Sequence, residues 1–191
     1  MPYKILKNWI ESEKKEGAPN PCQAVLSTVS SDNTPHSRVV AIREINEKGL
    51  LFFTQRNTRK VTEIKENPKA NLTFWLELKQ KQIIIEGLVE SISEKENEEY
   101  WSTYPKEAQI RFSAYAPTSS QPISSKEILE AKKQEINLQY KDSRIPVDPL
   151  YCGFRLKPNR FAFYAYQTPE LSDTFEYIKD SNSWTKRVLS P

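Results

Sequence analysis

The spacing of hydrophobic and polar residues predicts an N-terminal helix followed by a run of short strands. Ile5, Leu6 and Trp9 recur at helical spacing, so residues 3–16 are predicted to form an amphipathic helix that ends at Gly17. The hydrophobic period then changes to two, which is typical of strands that bury one face. Five such strands are predicted, at 23–30, 36–45, 50–54, 71–78 and 81–92.

The middle of the chain also contains helical segments. Asn57 is placed to cap a helix that runs to Asn67, where Pro68 stops it. Two later segments begin with the spacing of a capping box, in which a serine and a following glutamate satisfy backbone donors reciprocally. The pairs are Ser93 with Glu96 and Ser124 with Glu127, and the predicted helices cover 94–103, 105–113 and 124–140.

Strands return after an extended linker at 143–149. They are predicted at 151–158, 160–166 and 174–179, with an edge strand within 183–191. Gly87, inside the longest early strand, is predicted to mark a bulge or bend. Short strands joined by turns, with helices inserted between the fifth and sixth, favour an antiparallel barrel over a parallel α/β sheet. Residues 1–191 are therefore predicted to form a single, mainly β domain with helices (α+β).

Composition excludes several kinds of site. The 4 glycines lie far apart, so neither a Rossmann turn nor a P-loop is present, and side chains would have to hold any bound phosphate. One histidine and two cysteines provide no paired zinc ligands, so no metal site is expected. A formal net charge of +3 does not argue for nucleic acid, and no apolar run is long enough to cross a membrane. Without an export signal, a cytoplasmic protein with reduced thiols is expected.

Several conspicuous residues have ordinary structural explanations. His36 begins a strand beside a turn and is expected to lie at the surface or to act as a cap. Cys22 and Cys152 are expected in strands, as small buried hydrophobic residues. Phe161 and Phe163 are expected to face the core, and Tyr164 and Tyr166 are expected to face outward.

Residues 36–60 carry the strongest indication of chemistry. Arg38 and Arg43 lie on one predicted strand at odd spacing, so they point to opposite faces or leave at opposite ends. Arg59 and Lys60 open a helix beside the Thr58 hydroxyl, and a guanidinium fork, an ammonium and a helix N-terminus together suit a phosphate dianion. The alternative is that these are solvated surface charges, which are ordinary in a chain with 28% charged residues.

The same region resembles a known family. The runs RVVAIRE, GLLFFT, NTRKVTEIKENPKANLTF and KQIIIEG, followed by YCGFRLKP, FAFYAY and WTKRVLSP, are similar in order to the pyridoxamine 5′-phosphate oxidase family. The resemblance covers nearly the whole chain. It implies a six-stranded antiparallel split β-barrel, a homodimer with C-terminal dimerisation strands, and two FMN sites at the subunit interface.

The resemblance also assigns cofactor-binding residues position by position. They are Arg38, Val39, Val40, Arg43, Phe53, Thr54, Thr58, Arg59, Lys60, Gln82, Ser119, Ser120 and Tyr164. Among them, Arg59 and Lys60 correspond to the family's phosphate clamp, and Arg38 corresponds to an arginine on the phosphate side of the flavin. Arg43 and Tyr100 are also assigned to the substrate side. Tyr164 and Tyr166 are expected to face outward, or toward the flavin and the partner subunit.

Departures from the family pattern concentrate where the substrate would bind. A family Arg-Leu-His-Asp-Arg run is replaced here by Glu170, Leu171, Ser172, Asp173 and Thr174. Tyr104 and Ala108 replace the arginine and serine that hold the substrate phosphate. Each lost charge-assisted hydrogen bond is worth roughly 1.5–3 kcal/mol, so about two to four decades of affinity for a phosphorylated substrate would disappear. Arg111 or Lys106 is the candidate to replace the missing cation.

Three functions remain open at this point. The first is an FMN-dependent oxidase, in which a CH–NH2 or CH–OH carbon gives a hydride to flavin N5 and O2 reoxidises the flavin to yield hydrogen peroxide. Its substrate would be pyridoxamine or pyridoxine 5′-phosphate, or another small aromatic molecule, as for the related phenazine-pathway oxidases. The second is an FMN-binding protein without oxidase activity, and the third is a split-barrel interaction module without a cofactor. No catalytic residue is assigned.

Overall fold

The computed structural model describes residues 1–167, 169–181 and 183–191. These residues form two compact units that interleave along the sequence. The first unit comprises Met1–Phe52, Glu63–Glu90 and Phe154–Pro191, and the second comprises Phe53–Thr62 and Ser91–Gly153. The candidate residues of the 36–60 region are therefore divided between the units, and each unit is described separately.

The helices and strands follow the predicted order. The helices are α1 (Pro2–Lys15), α2 (Arg59–Glu66), α3 (Glu94–Ser102), α4 (Lys106–Tyr115) and α5 (Glu127–Gln139), and Ala116–Thr118 forms a short 3-10 turn. The strands are β1 (Gln23–Val29), β2 (Pro35–Asn46), β3 (Gly49–Gln55), β4 (Lys69–Leu76), β5 (Lys81–Ser91), β6 (Tyr151–Ala165), β7 (Asp173–Asp180) and β8 (Ser183–Val188).

Six of the strands close on themselves. The sheet order is β3-β2-β1-β4-β5-β6, and β3 also pairs with β6, so the first and last strands of this series meet. β7 and β8 continue the sheet beyond β6 as an antiparallel extension. The six-stranded antiparallel barrel predicted from the pattern and the family resemblance is thus confirmed.

The interior of the first unit is built from the alternate residues that the period of two singled out. Leu72, Phe74 and Ile83 are fully buried on neighbouring strands, and Phe161 and Phe163 of β6 are buried as expected. These large apolar side chains supply most of the burial energy of the unit, because each contributes about 1.5–3 kcal/mol when removed from water.

β6 is one continuous strand, so the predicted break between 151–158 and 160–166 is wrong. The strand continues through Pro158, and Gly87 of the neighbouring β5 lies against the backbone of Lys157 and Pro158. A Cβ at Gly87 would lie 2.2 Å from the Lys157 carbonyl oxygen. Gly87 pairs in regular register with Ala70 of β4, so the bulge predicted at this glycine is absent from that pairing.

Two predicted helix starts are also wrong, while a third is confirmed. The backbone N–H groups of Val61 and Thr62 donate to the Thr58 carbonyl, so Thr58 rather than Asn57 occupies the N-cap of α2. α5 begins after Lys126 without a side-chain cap, instead of after Ser124. At α3 the predicted capping box between Ser93 and Glu96 is present in both directions.

The two cysteines show that hydrophobic periodicity alone does not predict every strand position. Cys152 is buried in β6 as predicted, whereas Cys22 lies in the turn before β1 and is exposed, so its predicted strand position is wrong. Neither cysteine forms a disulfide within the described residues. Across the described ranges, no helix is both long and apolar enough to span a bilayer.

Candidate functional site

In the second unit, three predicted residues form a compact hydrogen-bonded group. The Lys60 ammonium donates to the Thr54 hydroxyl at 3.0 Å and to the Thr58 hydroxyl at 3.3 Å. The Thr58 hydroxyl in turn donates to the carbonyl of Gln55 at 2.8 Å. Thr54 and Thr58 are buried, while Lys60 is half-buried, so the ammonium is held at the edge of a polar pocket. This arrangement positions a cation at the first turn of α2, where the helix dipole also favours an anion.

The side chain of Gln55 connects this group to another predicted residue. The Ser119 hydroxyl donates to its amide oxygen at 3.3 Å, and the Thr54 hydroxyl lies 3.4 Å from the same oxygen. The Tyr115 phenol is also hydrogen-bonded to Gln55, and burial raises the pKa of that phenol. Gln55 was not predicted, although it directly follows the FFT run, because a single glutamine at a strand end has no distinctive pattern.

Two other predicted residues of this unit face solvent. Arg59 is exposed and has no ion-pair or hydrogen-bond partner among the described residues. Ser120 is exposed and adopts a positive φ of 62°. An exposed guanidinium beside the held Lys60 gives the start of α2 a second cation that is available to a ligand.

An aromatic cluster surrounds Phe53, Tyr100 and Tyr104. The Phe53 ring stacks on Tyr151 with centroids 4.8 Å apart and contacts Tyr100 at 5.2 Å and Tyr104 at 6.1 Å. Tyr104 also stacks on Trp101 at 6.2 Å. The residue that replaces the family's arginine is therefore packed among rings. Ala108, on the first turns of α4, offers no side-chain donor.

One of the two proposed replacement cations is already engaged. The Lys106 ammonium donates to backbone carbonyls of Tyr140 and Lys141 just beyond the C-terminus of α5, the latter at 2.7 Å. Lys106 and Tyr104 line a cleft of about 580 Å3 together with Arg144 and Gln109. No predicted cofactor residue lines this cleft, so we do not assign it to the candidate site. Arg111 remains the candidate replacement cation.

In the first unit, Arg38 belongs to a cluster centred on a buried carboxylate. Its guanidinium donates to the Thr28 hydroxyl at 2.5 Å and pairs with Glu63 at 3.3 Å. His36 Nδ1 lies 2.6 Å from the other carboxylate oxygen of Glu63, and the Thr28 hydroxyl donates to Glu63. Glu63 is only 2% exposed. His36 therefore contacts a buried carboxylate, so the expectation of a simple surface or capping residue does not describe it.

The ionisation state of Glu63 follows from these contacts. Burial by itself opposes ionisation, but the hydrogen bonds from Thr28, Arg38 and His36 outweigh it and hold the pKa of Glu63 below its usual value. Glu63 is therefore a carboxylate at neutral pH. Glu63 was not predicted, because a glutamate in a charged helix is expected to face solvent unless its tertiary neighbours are known.

The remaining predicted residues of β2 occupy both of its faces. Val40 is buried and Val39 is 60% exposed. Arg38 points to the inner side, whereas Arg43 is exposed on the other, as their odd spacing predicted. The register of β2 against β3 shifts between Ile42 and Glu44. A bulge of this kind re-aims the intervening side chain, so Arg43 leaves the strand at an irregular point.

Gln82 and Tyr164 share an outward-facing aromatic surface with residues that were not predicted. Gln82 pairs directly with Trp75 across β4 and β5, so both side chains lie on one face. The Trp75 ring meets Tyr166 edge-on at 5.8 Å, and Tyr164 contacts Tyr166 at 4.5 Å. Trp75 is 46% exposed. This surface can receive a flat ring, because partly exposed aromatic faces favour stacking and edge-on contacts.

The segment that departs from the family lies next to this surface. Thr174 pairs directly with Tyr164 across β6 and β7, and its hydroxyl is buried without a hydrogen-bond partner among the described residues. Ser172 accepts a hydrogen bond from the backbone N–H of Gln167 at 3.4 Å. Glu170 is exposed, so this segment presents a carboxylate to solvent.

The residues present fit FMN by their chemistry. A phosphate dianion needs charged and hydroxyl donors, which Lys60, Arg59 and Thr58 provide in the second unit. A planar ring system needs an aromatic surface, which Tyr164 and its neighbour Tyr166 provide in the first unit. None of these groups requires a glycine nest.

The closed six-stranded antiparallel barrel with a two-strand extension places the protein in the class of split β-barrels. Comparison with known proteins identifies the family. The family model described as pyridoxamine 5′-phosphate oxidase matches residues 10–140, and the model described as pyridoxine 5′-phosphate oxidase C-terminal dimerisation region matches residues 151–191. The chain belongs to the pyridoxamine 5′-phosphate oxidase family.

Individual relatives span almost the same length. A pyridoxine/pyridoxamine 5′-phosphate oxidase of Nostoc punctiforme is 34% identical over 191 residues, which are 100% of this chain and 88% of the relative. A pyridoxine-5′-phosphate oxidase of Dictyostelium discoideum is 36% identical over 197 residues, covering 100% of this chain and 84% of the relative. The crystal structure of PhzG from Burkholderia lata 383, in complex with tetrahydrophenazine-1-carboxylic acid, is similar with a TM-score of 0.88 and 27% identity, covering 100% of this chain and 92% of that one.

Proposed function

We propose that the protein is an FMN-dependent oxidase of a small aromatic substrate, and that it does not require a phosphate on that substrate. The observation that supports the proposal is a contrast between the predicted cofactor-binding residues and the predicted substrate-side residues. The cofactor-side group of Lys60, Thr54 and Thr58 is assembled by hydrogen bonds. Tyr104, which the family resemblance assigns to the position of a phosphate-binding arginine, packs instead against Phe53 and Trp101.

The cofactor side of the proposal rests on charge. In the second unit, Lys60 and Arg59 would hold the FMN phosphate at the start of α2, and Ser119 and Ser120 are further proposed contacts. Thr54 and Thr58 orient the Lys60 ammonium, so it loses little side-chain freedom when a ligand binds. In the first unit, Arg38, Gln82 and Tyr164 are the proposed cofactor contacts. Val39, Val40, Arg43 and Phe53 complete the proposed set.

The chemistry divides between the cofactor and the chain. When bound, FMN would supply a hydride acceptor for a CH–NH2 or CH–OH carbon and a route for those two electrons and protons to O2, giving hydrogen peroxide. The chain's part is to bind and orient the reactants. Tyr100, Tyr104 and Phe53 form an apolar wall suited to an aromatic ring, and Arg43 is the proposed cation near the substrate.

The retained sequence pattern favours this proposal over a protein without a cofactor. The relatives named as pyridoxine/pyridoxamine 5′-phosphate oxidases match the entire chain. The ligand of the PhzG complex, tetrahydrophenazine-1-carboxylic acid, is a ring compound without a phosphate. An FMN-binding protein without oxidase activity is the second candidate, because Glu170 and Ser172 stand where the family's substrate-contacting arginine and histidine would be.

The proposal is tested by the absorption spectrum of the purified protein, followed by anaerobic mixing with candidate amines and alcohols. A flavin spectrum that bleaches on mixing and returns with O2 is the expected result. A yellow protein that no aromatic amine or alcohol reduces would select the second candidate. A colourless protein that does not quench added FMN fluorescence would overturn the cofactor assignment.

A homodimer is also expected, since residues 151–191 match the family's dimerisation region. Light scattering should give twice the 22.2 kDa mass of the chain. A monomer that still binds FMN tightly would contradict this expectation, because the family's flavin sites lie between subunits.

A further inference from the structure

Gln55 lies at the centre of a hydrogen-bonded network within the second unit. Its main-chain carbonyl accepts from the Thr58 hydroxyl at 2.8 Å and from the backbone N–H of the same residue at 3.2 Å. Its side-chain oxygen accepts from the Thr54 hydroxyl at 3.4 Å and from the Ser119 hydroxyl at 3.3 Å. Gln55 is only 8% exposed, so these contacts are largely shielded from water. One glutamine therefore contacts both threonines that hold the Lys60 ammonium.

The direction of each hydrogen bond around Lys60 follows from the number of protons available. An ammonium can only donate, whereas a threonine hydroxyl has one proton to donate and lone pairs with which to accept. Thr54 and Thr58 therefore accept from the Lys60 ammonium, at 3.0 Å and 3.3 Å. The proton of each hydroxyl must then go to another acceptor, and in both cases that acceptor is Gln55. Gln55 thus fixes both hydroxyls as acceptors for the ammonium.

The side-chain amide of Gln55 is itself held from two directions. Since its oxygen accepts two hydroxyl protons, its NH2 group is the one left to bond the Tyr115 phenol. Tyr115 is the last residue of α4, and Ser119 directly follows the 3-10 turn at Ala116–Thr118. Contacts from α4 and from the segment after it therefore fix the orientation of this amide.

We propose that Gln55 is a positioning residue for the FMN phosphate and acts through the Lys60 ammonium. This inference rests on the proposed function, in which Lys60 contacts that phosphate at the start of α2. With both threonine hydroxyls fixed as acceptors, the ammonium is held in place before the ligand arrives, so less side-chain freedom is lost on binding. Without the Gln55 amide, the Thr54 hydroxyl can rotate its proton toward the ammonium and cease to accept from it.

The first test compares FMN with riboflavin, which has the same ring system but no phosphate. Both are titrated by fluorescence quenching into the full chain, freed of flavin, and into Gln55→Met, which keeps the length of the side chain but removes its amide. The Kd of FMN should rise about tenfold, and that of riboflavin by less than about twofold. Gln134→Met, at an exposed position of α5, is the matched control and should leave both constants within about twofold. An equal rise for the two ligands would indicate a merely structural role and overturn the inference.

A double-mutant cycle tests whether Gln55 acts through Lys60, and it needs FMN alone. In the Lys60→Met background, Gln55→Met should change the Kd of FMN by less than about twofold, because the ammonium that it positions is already gone. A further tenfold rise in that background would overturn the inference. If Gln55→Met does not fold, Thr54→Val removes the same link from its other end, and the same two outcomes decide. Failure of the unaltered protein to bind FMN would instead remove the proposed function on which the inference rests.

Discussion

Replacing Arg59 and Lys60 together by alanine is expected to weaken FMN binding at least about a hundredfold. The reason is that these residues supply the two proposed cations at the N-terminus of α2. Lys60 is already oriented by the Thr54 and Thr58 hydroxyls, and Arg59 is exposed to an incoming ligand. Quenching of FMN fluorescence, titrated at fixed ionic strength, measures the change in Kd.

The matched control removes the same charge from another helix. Lys4 and Lys7 are exposed on α1, which carries no proposed cofactor residue, and the double change to alanine leaves the proposed phosphate group intact. This control variant should bind FMN within about twofold of the unaltered protein, because exposed charges outside the site are screened. Unchanged affinity in the Arg59/Lys60 variant would show that the family register has been carried over wrongly.

Removing the phosphate from a vitamin B6 substrate is expected to change its affinity by less than about tenfold. A site that binds the phosphate through an arginine and further donors would lose about two to four decades of substrate affinity when the phosphate is removed. The expectation follows from Tyr104, which packs against Trp101 and Phe53, and from Ala108, which has no side-chain donor. Anaerobic flavin reduction by pyridoxamine 5′-phosphate and by pyridoxamine, each titrated to saturation, provides the two constants.

The internal control for this comparison is the extent of flavin reduction at saturation, which separates weak binding from slow chemistry. Saturation by the phosphorylated compound at a concentration a hundredfold lower than by pyridoxamine would show that another cation holds the phosphate. Arg111→Ala would then identify it, since Lys106 is already bound to carbonyls beyond α5.

The elements of the fold were largely predictable, because they depend on local periodicity. The alternation of Leu72, Phe74 and Leu76 identifies a strand whatever its neighbours, and the capping box at Ser93 identifies a helix start. The continuity of β6 was not predictable in this way. Pro158 looks like a strand end until Gly87 is found beside Lys157, and that contact joins segments far apart in the sequence.

Some residues of the candidate site could be predicted from the sequence, and others could not. Thr54, Thr58 and Lys60 could be named from the sequence through the family resemblance, and the structure joins them by hydrogen bonds. Gln55, which links Ser119 to them, could not be named, because nothing in its local pattern distinguishes it. Their assignment to FMN stays a prediction that the Arg59/Lys60 variant tests.

By itself, the sequence determined the order of strands and helices, the absence of glycine-based phosphate loops and the family that its motifs resemble. These are properties of spacing and residue type, which do not depend on where distant segments meet. Only the tertiary structure decided that Glu63 is a buried counter-ion of Arg38 and His36, and that Tyr104 packs into a ring cluster. The physical reason is that burial sets the energy of a charge or a ring, and burial is decided by contacts between segments that the sequence keeps apart.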